Sequence, residues 1–141
     1  MQEDIYQNEN YRKNIIKSNY YILTFLLTQN VPFSIVCYSD VVNFNPPVPK
    51  DIIEFEELTI FNIANFTLES ALLNEDSLVI ETGFGSENFG SILTIPLEAI
   101  YQIAYKNELL AINYYKPKVK KSSMDIFLNN PENLKLIKKK R

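Results

Sequence analysis

The chain has 141 residues, a formal net charge of −3, 46% apolar residues, 9 Tyr, 9 Phe and no Trp, which suits one domain with a single core rich in aromatic rings. It contains no His and one Cys, Cys37, which excludes imidazole zinc sites, cysteine-ligand clusters, an intrachain disulfide and the His-based hydrolase triads. The charge is uneven: residues 1–115 hold 5 Lys or Arg against 15 Asp or Glu, a net of −10, and residues 116–141 hold 9 against 2, a net of +7; the acidic body argues against nucleic-acid binding by the folded part, because phosphate contacts need a basic face.

The first residues, MQEDIYQNEN, lack the basic start and apolar core of a secretory segment. Residues 1–10 read as a disordered N-terminus. From Tyr11 to Thr28 the spacing is helical. Ile15, Asn19, Ile22 and Leu26 form one line of a 3.6-residue period, and Ile16, Tyr20, Leu23 and Leu27 form the next. This broad face packs on its own domain, or part of it serves as a subunit interface. Pro32 ends the helix. The longest apolar run, Tyr20 to Leu27 with Thr24 inside it, is shorter than the roughly 20 residues of a membrane span. The expectation is a soluble, cytoplasmic protein.

Phe33–Tyr38 is β-branched and aromatic and reads as the first strand. Cys37 lies within it and reads as a buried structural thiol, since no electropositive neighbour is predictable. Pro46, Pro47 and Pro49 stiffen an extended connector. The acidic stretch Asp51, Glu54, Glu56, Glu57 matches no calcium loop and reads as a solvated edge; no metal or cofactor is expected. Residues 58–64 read as the second strand, apolar on both faces. Residues 65–74 read as irregular structure or a short strand. Residues 78–82 and 91–95 read as two strands joined by a connection from Gly83 to Gly90 that holds all three glycines. The GxG there lacks the third glycine and the lysine of phosphate-binding loops, so a hairpin is the better account. Pro96 stands at a first-turn position of a short helix that continues towards Tyr105. Residues 111–115 form a last strand or docked extension. Residues 116–133 read as a basic linker. Residues 134–141 combine Leu134, Leu136 and Ile137 with basic residues, which suggests a short docking peptide.

Several stretches resemble, in order and spacing, the stringent starvation protein B (SspB) family, adaptors that deliver ssrA-tagged polypeptides to the ClpXP protease. They are the helix end Leu26-Leu-Thr-Gln-Asn-Val-Pro32, then Val48-Pro49 followed by Leu58-Thr-Ile-Phe-Asn-Ile-Ala64, then Asn74-Glu-Asp followed by a strand and Phe84-Gly85, then Ile95-Pro-Leu-Glu-Ala-Ile-Tyr-Gln-Ile-Ala-Tyr105, and the terminal Leu134-Lys-Leu-Ile-Lys138. The resemblance implies a mainly β, α+β fold: a small Sm-like barrel after an N-terminal helix, a short helix after Pro96 and a flexible C-terminal tail. It implies a peptide-binding domain over residues 11–115 and a homodimer through Ile15, Ile16, Asn19, Ile22, Leu23 and Leu26. It implies a groove for an extended degron peptide at Phe61, Ile63, Ile80, Glu81, Thr82, Phe84 and Gly85. It also implies a ClpX-docking tail of Leu134, Lys135, Leu136, Ile137 and Lys138. Ser86 and Gly83 depart from the family pattern, and the family's long acidic linker is replaced by a short basic one. No catalytic residues are expected, so the protein reads as a non-enzymatic adaptor. The alternative is an RNA-binding Sm-like protein that uses its basic tail.

Overall fold

The computed structural model describes residues 4–118. Asn8 opens the long helix α1 (Glu9–Gln29): its side chain accepts from the Asn10 N–H at 2.8 Å, satisfying one of the helix's orphan donors. Asn30 closes it in the left-handed conformation, φ 55°, with its N–H turned back to the carbonyls of Leu26 and Leu27. Residues before the helix are ordered as well. Ile5–Gln7 form a 3-10 turn, capped by Asp4. That turn is held by the far end of the fold: the Gln7 side chain accepts from the Lys116 N–H (2.8 Å) and donates to its carbonyl (2.9 Å). Tyr6 packs on Tyr11 and Tyr114. The expected disorder of residues 1–10 is therefore corrected for residues 4–10, whose order comes from contacts about a hundred residues away in sequence.

Eight strands follow: β1 (Phe33–Tyr38), β2 (Asn43–Asn45), β3 (Leu58–Ile63), β4 (Leu72–Leu73), β5 (Ser77–Phe84), β6 (Phe89–Pro96), β7 (Ile100–Tyr105) and β8 (Glu108–Ile112). A short helix, α2 (Asn65–Ser70), lies between β3 and β4. The strands form two four-stranded antiparallel sheets, in the orders β3-β1-β7-β8 and β2-β6-β5-β4. The α+β class with an N-terminal helix is as expected. The closed barrel is not: each sheet ends in its own edge strands.

Strand alternation builds the core. Phe33, Ile35 and Cys37 of β1, Phe61 and Ile63 of β3, and Ile100 and Ile103 of β7 point inward from one sheet; Leu78, Ile80 and Phe84 of β5 and Leu93 and Ile95 of β6 point inward from the other. Leu23 and Leu26 of α1 complete it, both essentially sealed from solvent. At one end Phe44, Phe55, Phe61 and Phe84 stack and edge against one another, with centroids 4.6–6.5 Å apart, a geometry suited to ring quadrupoles.

Three local expectations change. The glycine connection is tighter than its composition suggests: β5 and β6 pair from Ser77↔Pro96 to Phe84↔Phe89, with Gly83 opposite Gly90 inside the ladder, and only residues 85–88 turn. Gly85 sits at φ +73°, and a Cβ there would lie 2.7 Å from Ile52, so conformation and contact both require glycine. Helical spacing after Pro96 lasts a single 3-10 turn, Leu97–Ala99, before the chain extends as β7 and reverses at Lys106 and Asn107, both at positive φ, into β8. Residues 65–70 are helical where irregular structure or a strand was expected.

The 3-10 turn at Leu97–Ala99 is anchored by two buried asparagines. Asn19 Nδ2 donates to the carbonyls of Leu97 (2.9 Å) and Ile100 (3.3 Å). Asn113 Nδ2 donates to those of Glu98 (2.8 Å) and Ile100 (3.1 Å), while its Oδ1 accepts from the Tyr115 N–H (2.7 Å). On the same side Arg12 bridges Glu9 and Glu98.

Candidate functional site

β5 offers one stretch of backbone that its neighbours leave open. β6 covers one edge along its full length. On the other edge β4 pairs only with Leu78 and Val79. At Glu81 a side chain substitutes for a strand: Ser70 Oγ, at the end of α2, accepts from the Glu81 N–H (2.9 Å) and donates to the carbonyl of Thr67 (2.7 Å). By the two-residue period of a strand, the N–H and C=O of Gly83 face the same way as those of Glu81, beyond the reach of β4 and Ser70.

A shallow cavity of about 380 Å³ opens at that point. Residues 64–67, the start of α2, form one wall; Glu81, Thr82 and Gly83 form the other, closed off by Asn88 and Gly90. The wall at α2 exists because Ala64 is extended and Asn65 turns to φ 53°, after which the Thr67 and Leu68 amides donate to the Ala64 carbonyl. Phe66 projects there with 58% of its surface exposed, a large ring left outside the core. The absent side chain of Gly83 leaves room for the Asn88 amide, which closes the cavity there: a Cβ at Gly83 would fall 1.7 Å from Asn88 Oδ1. Glu81 is exposed, and no Lys or Arg is among the lining residues. The site therefore combines strand-edge hydrogen-bonding groups, one carboxylate, two amides and an exposed ring.

The residues expected in a groove divide by strand face. Glu81 and Thr82 line the cavity. Phe61, Ile63, Ile80 and Phe84 do not; their side chains are core, at most 9% exposed, so their expected place in the groove is corrected. Ile80 and Glu81 are adjacent on one strand and point to opposite faces, Ile80 into the core and Glu81 to solvent. Gly85 belongs to the turn and packs on Ile52. Ala64, Asn65, Phe66, Thr67, Gly83, Asn88 and Gly90 were not foreseen. The sequence signal for them is weak: a large aromatic, Phe66, in a polar stretch, and a glycine, Gly83, inside an otherwise regular strand.

The expected dimer face of α1 divides between buried and partly exposed side chains. Asn19, Leu23 and Leu26 are buried in their own domain, and Ile16 and Ile22 pack partly against the core. Ile15 is half-buried. The apolar side chains that α1 shows to solvent are Tyr21 and Phe25, 69% and 60% exposed. The expected docking peptide, Leu134 to Lys138, lies outside the described residues.

Cys37 is fully buried and is not among the cavity's lining residues; burial pushes its thiol well above the usual range. Its expected reactivity is correspondingly low: in native protein it should resist a disulfide-exchange reagent that labels it fully once the chain is unfolded, as a spectrophotometric thiol titration will show. Among the described residues there is no cluster of three or more His, Cys, Asp or Glu of the kind that holds a metal ion, and no helix is long and apolar enough to cross a membrane.

Fold and cavity together define an α+β protein of two facing antiparallel sheets with an open strand edge beside a short helix. No protein-family model matches the chain, and no curated protein matches it.

Proposed function

We propose that the protein is a non-enzymatic adaptor that captures an extended, ssrA-like degron peptide at the open edge of β5 and presents it to the ClpX unfoldase through residues 134–138. The observation that carries this reading is the cavity between β5 and the start of α2, onto which the edge of Gly83 opens. An extended peptide gains main-chain hydrogen bonds on such an edge, and its alternate side chains meet the walls. Glu81 favours a peptide with a Lys, Arg or amide donor at the facing position. The basic linker and terminal peptide then tether the cargo at raised effective concentration, with no new contact needed. The chemistry of degradation belongs to the partner, in a cytoplasmic setting.

A labelled ssrA-type peptide tests the capture step by fluorescence anisotropy. Gly83→Val puts a side chain where the Asn88 amide sits, drives that amide out of its place and so reshapes the cavity wall. It should weaken binding at least about tenfold, the equivalent of 1.4 kcal/mol, while circular dichroism stays native. Thr82→Gln should weaken it through crowding of the same wall. A chain lacking residues 134–141 should bind the peptide normally and fail to recruit the unfoldase. Equal binding by wild type and Gly83→Val would sink the placement.

A further inference from the structure

A second surface is independent of the peptide site. Among the described residues β3 is an edge strand that pairs with β1 alone, over six unbroken residue pairs from Phe33↔Ile63 to Tyr38↔Leu58. Its sequence, Leu-Thr-Ile-Phe-Asn-Ile, has no charge and no proline, the devices that normally blunt an edge. The other edges are managed: β2 and β4 have three and two residues, and β8 starts with Glu108 and meets β7 through a register shift. The outer side of β3 is also apolar. Ile60 is 64% and Leu58 38% exposed, and Ile60 lies in register with Val36, Gln102 and Ile112 across the sheet.

We infer that β3 pairs antiparallel with β3 of a second copy of this chain, about a two-fold axis through Ile60. Side chains that face each other in an antiparallel pair lie on the same side of the sheet, so Ile60 meets Ile60, and Leu58 meets Asn62. The charge pattern selects this partner and direction. Glu54, Glu56 and Glu57 precede the strand, and no acidic residue follows it until Glu69. Antiparallel self-pairing sets Glu57 against Ile63 and Glu56 against Ala64, whereas parallel pairing would align the carboxylates of the two copies. Ala64 lines the peptide cavity, so the second copy brings its acidic segment to the rim of that cavity. Pairing joins two four-stranded sheets into one of eight strands and leaves the helix face of Tyr21 and Phe25 outside the interface.

Sedimentation of the full chain tests this, with three single variants at exposed positions. Wild type should sediment as a dimer, and Ile60→Lys as a species of half that mass with an unchanged circular dichroism spectrum. Ile60→Cys should form a disulfide-linked dimer when oxidised with diamide, since Cα atoms facing each other across antiparallel strands lie roughly 4.5–5.5 Å apart, within the span of a disulfide. Tyr21→Cys should not; Cys37 is buried and stays silent. A monomeric wild type, a dimer indifferent to Ile60→Lys, or cross-linking through Tyr21→Cys in place of Ile60→Cys would each overturn the assignment.

Discussion

Leu23→Ala should lower the free energy of unfolding by about 3 kcal/mol, the usual cost of a leucine-sized cavity in a packed core. The loss should be the same over a roughly hundredfold range of protein concentration, because Leu23 is sealed inside its own chain and a contact within one chain is indifferent to mass action. Urea titrations at the two ends of that range measure both quantities. A loss that shrinks at low concentration, where any dimer has already dissociated, would return Leu23 to a subunit interface. The size of the effect follows from position: Leu23 and Leu26 are the side chains α1 commits fully to the space between the sheets. A helix that lost one of them would still have its caps at Asn8 and Asn30, but much less to pack on.

Asn19→Leu is the second large effect, and its sign runs against hydrophobic intuition. Asparagine and leucine are close in size, and leucine is the better helix former. The substitution should nevertheless cost about 2 kcal/mol. The Leu97 carbonyl loses its Asn19 donor and keeps the 3-10 bond from the Ile100 N–H, and the Ile100 carbonyl loses one of its two asparagine donors. Two buried hydrogen bonds are lost, each worth roughly 1 kcal/mol, and leucine offers neither carbonyl a donor in return. Thermal denaturation of the two proteins decides it: a melting temperature raised by the leucine would mean that position 19 faces a protein partner or solvent, and not the 3-10 turn.

These two residues also show what the sequence could and could not convey. The helical period correctly grouped Ile16, Asn19, Ile22, Leu23 and Leu26 on one face. Periodicity reports that a face is apolar; it is silent on whether the same chain or another covers it. The strand Phe33–Tyr38 was readable to the residue because β-branched and aromatic residues stood between Pro32 and a polar break. β3 was readable as well, one residue too long at Ala64. β7 was not. Ala99-Ile-Tyr-Gln-Ile-Ala-Tyr105 fits helical and extended spacing equally well, and its hairpin turns at Lys106 and Asn107 without the glycine that usually marks such a turn. The candidate site was half legible. Glu81 and Thr82 could be placed on a strand, but the opposite wall comes from α2, six residues long and too short to carry a pattern. The order of residues 4–8 was beyond reach, since it depends on Gln7 meeting Lys116.

That meeting of Gln7 and Lys116 has a mechanical consequence. A partner that pulls on the C-terminal segment loads the chain first at residue 116, where two hydrogen bonds to one glutamine and an exposed ion pair to Glu57 stand before the Asn113 anchor and the edge strand β8. Behind them, β8 pairs, among the described residues, with β7 alone, so tension entering at its C-terminal end opens its bonds to β7 one after another and does not shear them together. The body thus yields to traction in a set order: the glutamine fastening, the asparagine pin, then the outermost strand. The sheet that carries the open edge of β5 is the last to feel the pull.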